Sequence, residues 1–448
     1  MRAVLNGYLR QHGELILFEN LRKGGALLFQ DAEIMLPPLM NGGDIFDYAR
    51  NVAGDNDNDL RNFTRDLLDF YIAASDCGVV KLKDGDWTRC PRQRMTNDSQ
   101  SSERALSTPT SNEVTAMKAF YSATGLCSEL HLDLASACTE QCIHCYVPGG
   151  RRDYLQYEQT EKLLKEFRAQ QGLTVELTGG ECMMHPDFDR ICRLCRELDL
   201  NFIVMSNLTL CDDDKVAVLK ETDPQFVNVS VYSMDSAIHD AITQIPGSWR
   251  RTMDAIARCE KAGIQLRFAA PLLKANRDSF PDLKKFAADH NAHLVVDSDI
   301  VPRCNGDCGN LECACTAEEA GCVLSADRQL WNRGYPIAEN TGPNDQVCDI
   351  GRILYVNAKG EYYPCSGMND YVIGTVRDNT VSEVWHGGKL ERFRQLRNRD
   401  FPTCSNCEHR GFCKVCPACN MIATGDMFKP LKSKCELAAV KHKIYGVK

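Results

Sequence analysis

Residues 138–146 read Cys138-Thr-Glu-Gln-Cys142-Ile-His-Cys145-Tyr146, and the runs on either side of them decide the fold. Just upstream, 129–134 has the apolar/polar alternation of a strand. Further strand-like runs follow at 174–177, 202–205, 226–232, 264–268 and 293–296. Helical stretches lie between them. Leu163, Leu164 and Phe167 share one face of 160–170, and Ile191, Leu194 and Leu198 share one face of 187–198. The stretches 212–221, 248–261 and 279–290 complete the series. Six βα units in a row predict an α/β fold on a parallel sheet, open or curled into a partial barrel. Ligands gather at the C-terminal strand ends of such folds. The cysteine loop follows directly on the first strand.

Spacings of three and two residues let one loop turn three thiolates, those of Cys138, Cys142 and Cys145, around one centre. A four-iron cluster held by three cysteines keeps one iron open for a small molecule, whereas a closed zinc site wants a fourth Cys or His. His144 is adjacent, but neighbours on a short loop rarely point the same way. Thr178-Gly179-Gly180-Glu181 then falls at the end of the second strand. Its glycines allow close backbone approach to a ligand, and its glutamate offers a carboxylate to an amine.

The chain has 448 residues, 44% apolar and 25% charged, with a net charge of −9, which suits a globular protein and argues against a phosphate backbone as main partner. No apolar run reaches the length of a membrane span, and the first twenty residues lack the apolar core of a signal peptide. A cytoplasmic location is therefore expected, with neither nucleic acid nor membrane as a partner. In that compartment thiols stay reduced, so 24 cysteines point to metal rather than disulfides.

Two further cysteine groups follow the series. One is Cys304, Cys308, Cys313, Cys315 and Cys322. The other begins at Cys348 and Cys365 and continues through Cys404, Cys407, Cys413, Cys416 and Cys419 to Cys435. The eight thiols of the second group suffice for two iron–sulfur clusters, and equally for two structural zincs. Upstream of the series, 1–90 reads as a small α+β module and 91–113, rich in Ser, Thr, Asn and Arg, as a linker. The main α/β domain is expected over 114–300, a cysteine-rich bridge over 301–347, and a metal-bound domain over 348–448.

A CxxxCxxC loop on one strand followed by GGE on the next resembles the radical S-adenosylmethionine (SAM) enzymes. The resemblance implies a partial (β/α)6 barrel. It implies a SAM-binding [4Fe–4S] cluster on Cys138, Cys142 and Cys145, with SAM contacted by Tyr146, Gly179, Gly180, Glu181, Ser206 and Ser230. Where relatives often have proline after GGE, this chain has Cys182. The later cysteines resemble the SPASM extension, which holds auxiliary [4Fe–4S] clusters. That implies one cluster on Cys404, Cys407, Cys413 and Cys435, and another on Cys348, Cys365 and Cys416. Cys419 is an extra thiol. The 304–322 group either binds a further cluster or completes a neighbouring one, with its surplus thiols unligated.

The stretch from Cys413 through Asp426, and that from Ser230 to Ser248, are similar to peptide maturases that build thioether or other cross-links. The implied activity is installation of a cross-link, foremost a Cys thioether, in a ribosomally made precursor peptide. A 5′-deoxyadenosyl radical would abstract hydrogen from the peptide, and flavodoxin or ferredoxin would donate electrons. Residues 1–90 would be a winged-helix-like module binding the leader peptide. The alternatives are modification of a folded protein, as sulfatase maturases do, carbon–carbon cross-linking, a small-molecule substrate, and a non-enzymatic multi-zinc scaffold.

Overall fold

In the computed structural model, which describes residues 2–20, 25–30, 32–54, 57–83, 111–147, 149–327, 342–368 and 371–446, the first thirty residues form four strands. They are β1 (Arg2–Leu5), β2 (Tyr8–His12), β3 (Leu15–Asn20) and β4 (Gly25–Gln30). β2, β3 and β4 make an antiparallel sheet in that order, and β1 pairs antiparallel with β5 (Val80–Lys83). β3 alternates between two cores. Ile16 and Phe18 pack with Leu67, Tyr71 and Val79, while Leu17 packs with Tyr8, Phe120, Tyr121 and Leu173. An apolar strand without polar alternation is what a sheet covered on both faces requires.

The helices of this unit are Pro37–Asn41, Ile45–Ala53, Asp57–Asp76 and Ser111–Thr124. Asp44 caps the second, accepting from the amides of Phe46 and Asp47. Residues 168–173 and 196–201 belong to the same compact unit as 1–128. Arg10 is buried among them. Its guanidinium donates to the carbonyls of Gly172 (2.9 Å) and Asp199 (2.6 Å) and pairs with the Asp199 carboxylate at 3.3 Å. Burial of such a cation is tolerable only with partners of this kind. Residues 91–110 of the expected linker lie outside the described residues. Residues 111–113 correct that reading, because they open the helix Ser111–Thr124.

The second unit comprises 129–167, 174–195 and 202–448. Its strands β6 (Glu129–Ala135), β7 (Thr174–Gly179), β8 (Asn201–Ser206), β9 (Val227–Ser230), β10 (Leu266–Pro271) and β11 (His293–Asp297) lie side by side in sequence order. Every registered pair among them is parallel. The intervening helices are Tyr157–Ala169, Phe188–Glu197, Asp213–Thr222, Ser248–Lys261 and Phe280–Asp289. A further helix, Ser236–Thr243, was not expected; Asp235 caps it.

Beyond β11 the chain is loop-rich but not without order. β12 (Leu354–Val356) joins the outer side of β6 in parallel, and β13 (Glu361–Tyr363) and β14 (Gly374–Thr375) extend the sheet antiparallel. Helices Ala317–Ala326 and Lys432–Tyr445 pack so closely that a Cβ on Gly321 would meet Val440 at 2.6 Å. Among the described residues, no helix is long and apolar enough to cross a membrane.

Candidate functional site

The loop 138–146 leaves the C-terminal end of β6 and is fastened from two sides. The amides of Gln141 and Ile143 donate to the carbonyls of Thr243 (2.9 Å) and Ile242 (3.0 Å), at the end of the unexpected helix. From the other side, the Cys304 amide donates to the Tyr146 carbonyl (2.9 Å). Asn310, 1% exposed, donates from Nδ2 towards the carbonyls of His144 (3.1 Å), Cys145 (3.4 Å) and Val301 (2.8 Å).

The three thiols of the loop lie within electrostatic reach of one another. Burial pushes the Cys138 thiol up to about 12, despite the Glu140 amide donating to its sulfur at 3.4 Å. Burial and the Glu140 carboxylate push Cys142 up as well. Metal coordination deprotonates thiols raised in this way, so three thiols on one strand-end loop, Cys138 exposed and Cys142 and Cys145 half-buried, fit an iron–sulfur cluster open to a small ligand.

GGE sits against this loop, and the fold gives its residues partners of their own. A Cβ on Gly179, whose φ is +126°, would lie 2.2 Å from the Ala135 carbonyl oxygen, and one on Gly180 would lie 2.4 Å from that of Ala137. The glycines thus permit backbone contact with the segment leading into Cys138. The amides of Gly180 and Glu181 donate to those same two carbonyls at 2.7 and 2.9 Å. The Glu181 carboxylate is fully buried, and the fold already occupies it: it accepts from the Met183 amide (3.0 Å), the Ser206 hydroxyl (2.8 Å) and the Asn207 amide (2.8 Å).

Ser206 is therefore a clamp between β7 and β8. Ser230 ends β9, and its hydroxyl bonds towards Tyr232. Burial, and then the charges of Asp133, Cys145, Glu176 and Cys304, push the Tyr146 hydroxyl well up. Cys182 is buried and donates to the Met205 carbonyl at 3.3 Å, as a small core side chain would.

In the C-terminal part, Cys348, Cys365 and Cys416 share one apolar cluster with Ile350, Met368 and Phe393, and Cys348 is electrostatically coupled to the other two thiols. Buried Cys419 donates its amide to the Cys416 sulfur at 3.4 Å. Cys404, Cys407, Cys413 and Cys435 line one cavity of about 70 Å³, the donor set of a cluster held by four cysteines. A second cavity, about 200 Å³, is bordered by Cys348, Cys413, Cys416 and Cys419. In the 304–322 group, Cys308 and Cys322 are exposed, Cys313 donates to the Asn310 carbonyl at 2.9 Å, and Cys315 lies among Lys274, Arg277 and Glu319.

Residues 133–287 match the model of the radical SAM superfamily, and 348–408 match the SPASM iron–sulfur cluster-binding domain. The chain is a radical SAM/SPASM enzyme. Its domains imply SAM and [4Fe–4S] clusters as cofactors. It is 23% identical over 336 residues to an AdoMet-dependent heme synthase of Oleidesulfovibrio alaskensis, covering 67% of this chain and 84% of that one. It is 23% identical over 274 residues to the sporulation killing factor maturation protein SkfB of Bacillus subtilis, covering 59% and 66%. Among solved structures it resembles Streptococcus suis SuiB bound to the precursor peptide SuiA, with a TM-score of 0.57 at 14% identity over 96% of this chain and all of that one.

The sequence reading of this radical SAM/SPASM enzyme missed four residues at the cluster loop. Tyr232 and Glu140 each bring an oxygen within 3.5 Å of the Cys142 sulfur. Asn207 brings its amide to 3.8 Å from the Cys138 sulfur. Asn310 is the fourth. Glu140 alone carried a signal, as the one acid between the first two cysteines. Burial pushes its carboxyl up to about 7.

Proposed function

We propose that this radical SAM/SPASM enzyme modifies a ribosomally made precursor peptide by joining a cysteine sulfur to a carbon of another residue. The observation that carries the reading is fold likeness to peptide-bound SuiB across 96% of the chain, which takes in the N-terminal α+β unit. The maturation protein SkfB among the curated relatives supports it too.

In this reading Cys138, Cys142 and Cys145 hold the SAM-binding cluster, which with SAM supplies radical hydrogen abstraction. The chain's own work is placement. Asn310 and the Ser236–Thr243 helix hold the cysteine loop. Glu181, fixed by Ser206, sets the β7 turn so that Gly179 and Gly180 face SAM beside Tyr146. Ser230 acts on SAM through Tyr232. Cys348, Cys365 and Cys416 form one auxiliary ligand set, and Cys404, Cys407, Cys413 and Cys435 the other. The 304–322 segment serves as a brace for the cysteine loop. Flavodoxin or ferredoxin is the electron donor.

The leader peptide is taken by the N-terminal unit. β2 and β4 are the outer strands of their sheet, and an extended peptide can add to such an edge. Hydrogen exchange tests this: the precursor's leader should slow exchange of β2 or β4 amides, and unchanged exchange at saturating peptide would refute it. Mass spectrometry of a cysteine-containing precursor encoded beside this chain tests the chemistry. Each thioether removes two hydrogen atoms and one free thiol. A tetrapyrrole substrate is the second reading, favoured by the heme-synthase relatives; it predicts an unchanged peptide and a processed porphyrin side chain in the same assay.

A further inference from the structure

The two cavities bordered by the C-terminal cysteines share part of their lining. Lys434 lines both, as do Cys413 and Cys416. Its side chain is 14% exposed and its ammonium pairs with the Asp299 carboxylate at 3.5 Å. The Lys434 charge is felt by Cys413, from one cysteine group, and by Cys416 and Cys419, from the other.

The larger cavity presents three ammonium groups, Lys414, Lys434 and Lys441, against two carboxylates, Asp297 and Asp299. Lys441 is 2% exposed. Buried ammonium groups are costly unless anions face them, and Asp299 does so for Lys434. Thiolate-ligated iron–sulfur clusters carry net negative charge and would add to that compensation. Lys414 also lines both cavities, and its charge is felt by Cys348. The charge of Lys434 reaches a cysteine of each group.

We propose that Lys434, held by Asp299, is a positioning residue between the two auxiliary clusters and that its fixed positive charge raises the reduction potentials of both. The proposal rests on the assignment of these cysteines to two clusters. Reduction adds one electron to a cluster, and a nearby cation favours the more negative, reduced state. Removing the cation must therefore lower the potential, and removing the anion that opposes it must raise the potential.

The test is potentiometric titration of the reconstituted full chain, followed by electron paramagnetic resonance, after iron and sulfide have been counted. Lys434→Met should shift both auxiliary midpoints downward, Asp299→Asn should shift them upward, and Lys434→Arg should stay near the parent. The midpoint of the SAM-binding cluster should not follow them. If Lys434→Met loses auxiliary iron while Lys434→Arg keeps it, the charge is needed even to hold the cluster, which also supports the proposal. Unchanged midpoints in an iron-replete Lys434→Met protein would overturn it. So would equal iron loss in both lysine variants, which would make Lys434 a packing residue. A parent protein holding only one cluster would overturn the two-cluster assignment itself, and this proposal with it.

Discussion

Replacing Gly180 by alanine should damage SAM cleavage far more than it damages the fold. The added Cβ would sit 2.4 Å from the Ala137 carbonyl oxygen and 2.8 Å from both the Ala137 carbonyl carbon and the Ser136 carbonyl oxygen. All three are backbone atoms, so no side chain can swing away. Relief to an ordinary contact of 3.4 Å needs a shift of about 1 Å in the segment that ends at Cys138. The same shift strains the Glu181 amide bond to the Ala137 carbonyl, 2.9 Å long. Overpacking of this kind costs about 1–3 kcal/mol, or roughly 2–4 °C in Tm per kcal/mol for a domain of this size. A displacement of about 1 Å at a reacting centre can cost on the order of 100-fold in rate. The assay is 5′-deoxyadenosine formed per SAM-binding cluster under strong reductant, beside an anaerobic melt. Gly149→Ala is the control, since a Cβ there meets nothing within 4 Å. Parent-like cleavage by Gly180→Ala at parent iron content would refute the argument that these glycines set the cluster loop.

Other substitutions probe neighbouring parts. Cys142→Ala should lose about four irons and all SAM cleavage while circular dichroism stays native; retained cleavage would count against the three-cysteine site. Ser206→Ala removes the hydroxyl that donates to Glu181 at 2.8 Å and accepts from the Leu208 amide at 2.9 Å. A hydrogen bond to a buried carboxylate is worth about 1.5–3 kcal/mol, so an unchanged melting temperature would show that Glu181 is held without it. Burial raises the Asp133 carboxyl to about 6, from 3.8. The folded state thus binds the proton more tightly, and this group's contribution to stability falls as pH rises from the unfolded towards the folded value and stays lost above it. Asp133→Asn, which keeps an acceptor for the Tyr363 hydroxyl at 3.0 Å, should stabilise the protein by on the order of 2 kcal/mol at pH 7.5. The gain should shrink towards pH 5, and a gain independent of pH would refute the burial argument.

The barrel was readable because its strands and helices repeat with clear periods and because each functional motif sits at a strand end. The helix Ser248–Lys261 was bounded in sequence by Gly247 and the Ala262-Gly263 pair. The helix Ser236–Thr243 escaped notice: eight residues give two turns of period, and its worth lies in two carbonyls offered to the cysteine loop. β12 and β13 are three residues each, too short for alternation to register. The protein partners of Glu181 were hidden for a related reason. A carboxylate beside two glycines looks available for a ligand, and only the fold brings Ser206 and Asn207 onto its oxygens. The 304–322 cysteines drew attention as thiols, yet the side chain in that segment that grips the cysteine loop is that of Asn310, whose amide has no sequence signature.

The pairing of β12 with β6 ties the first barrel strand to chain that leaves the ribosome long afterwards. Until residues 354–356 emerge, β6 keeps an open edge through the synthesis of the whole barrel, and open edges invite association with other nascent chains. Contacts so distant in sequence also form slowly. Slow translation at low temperature, with iron and sulfide delivery already induced, should therefore raise the yield of intact protein more than stronger transcription does.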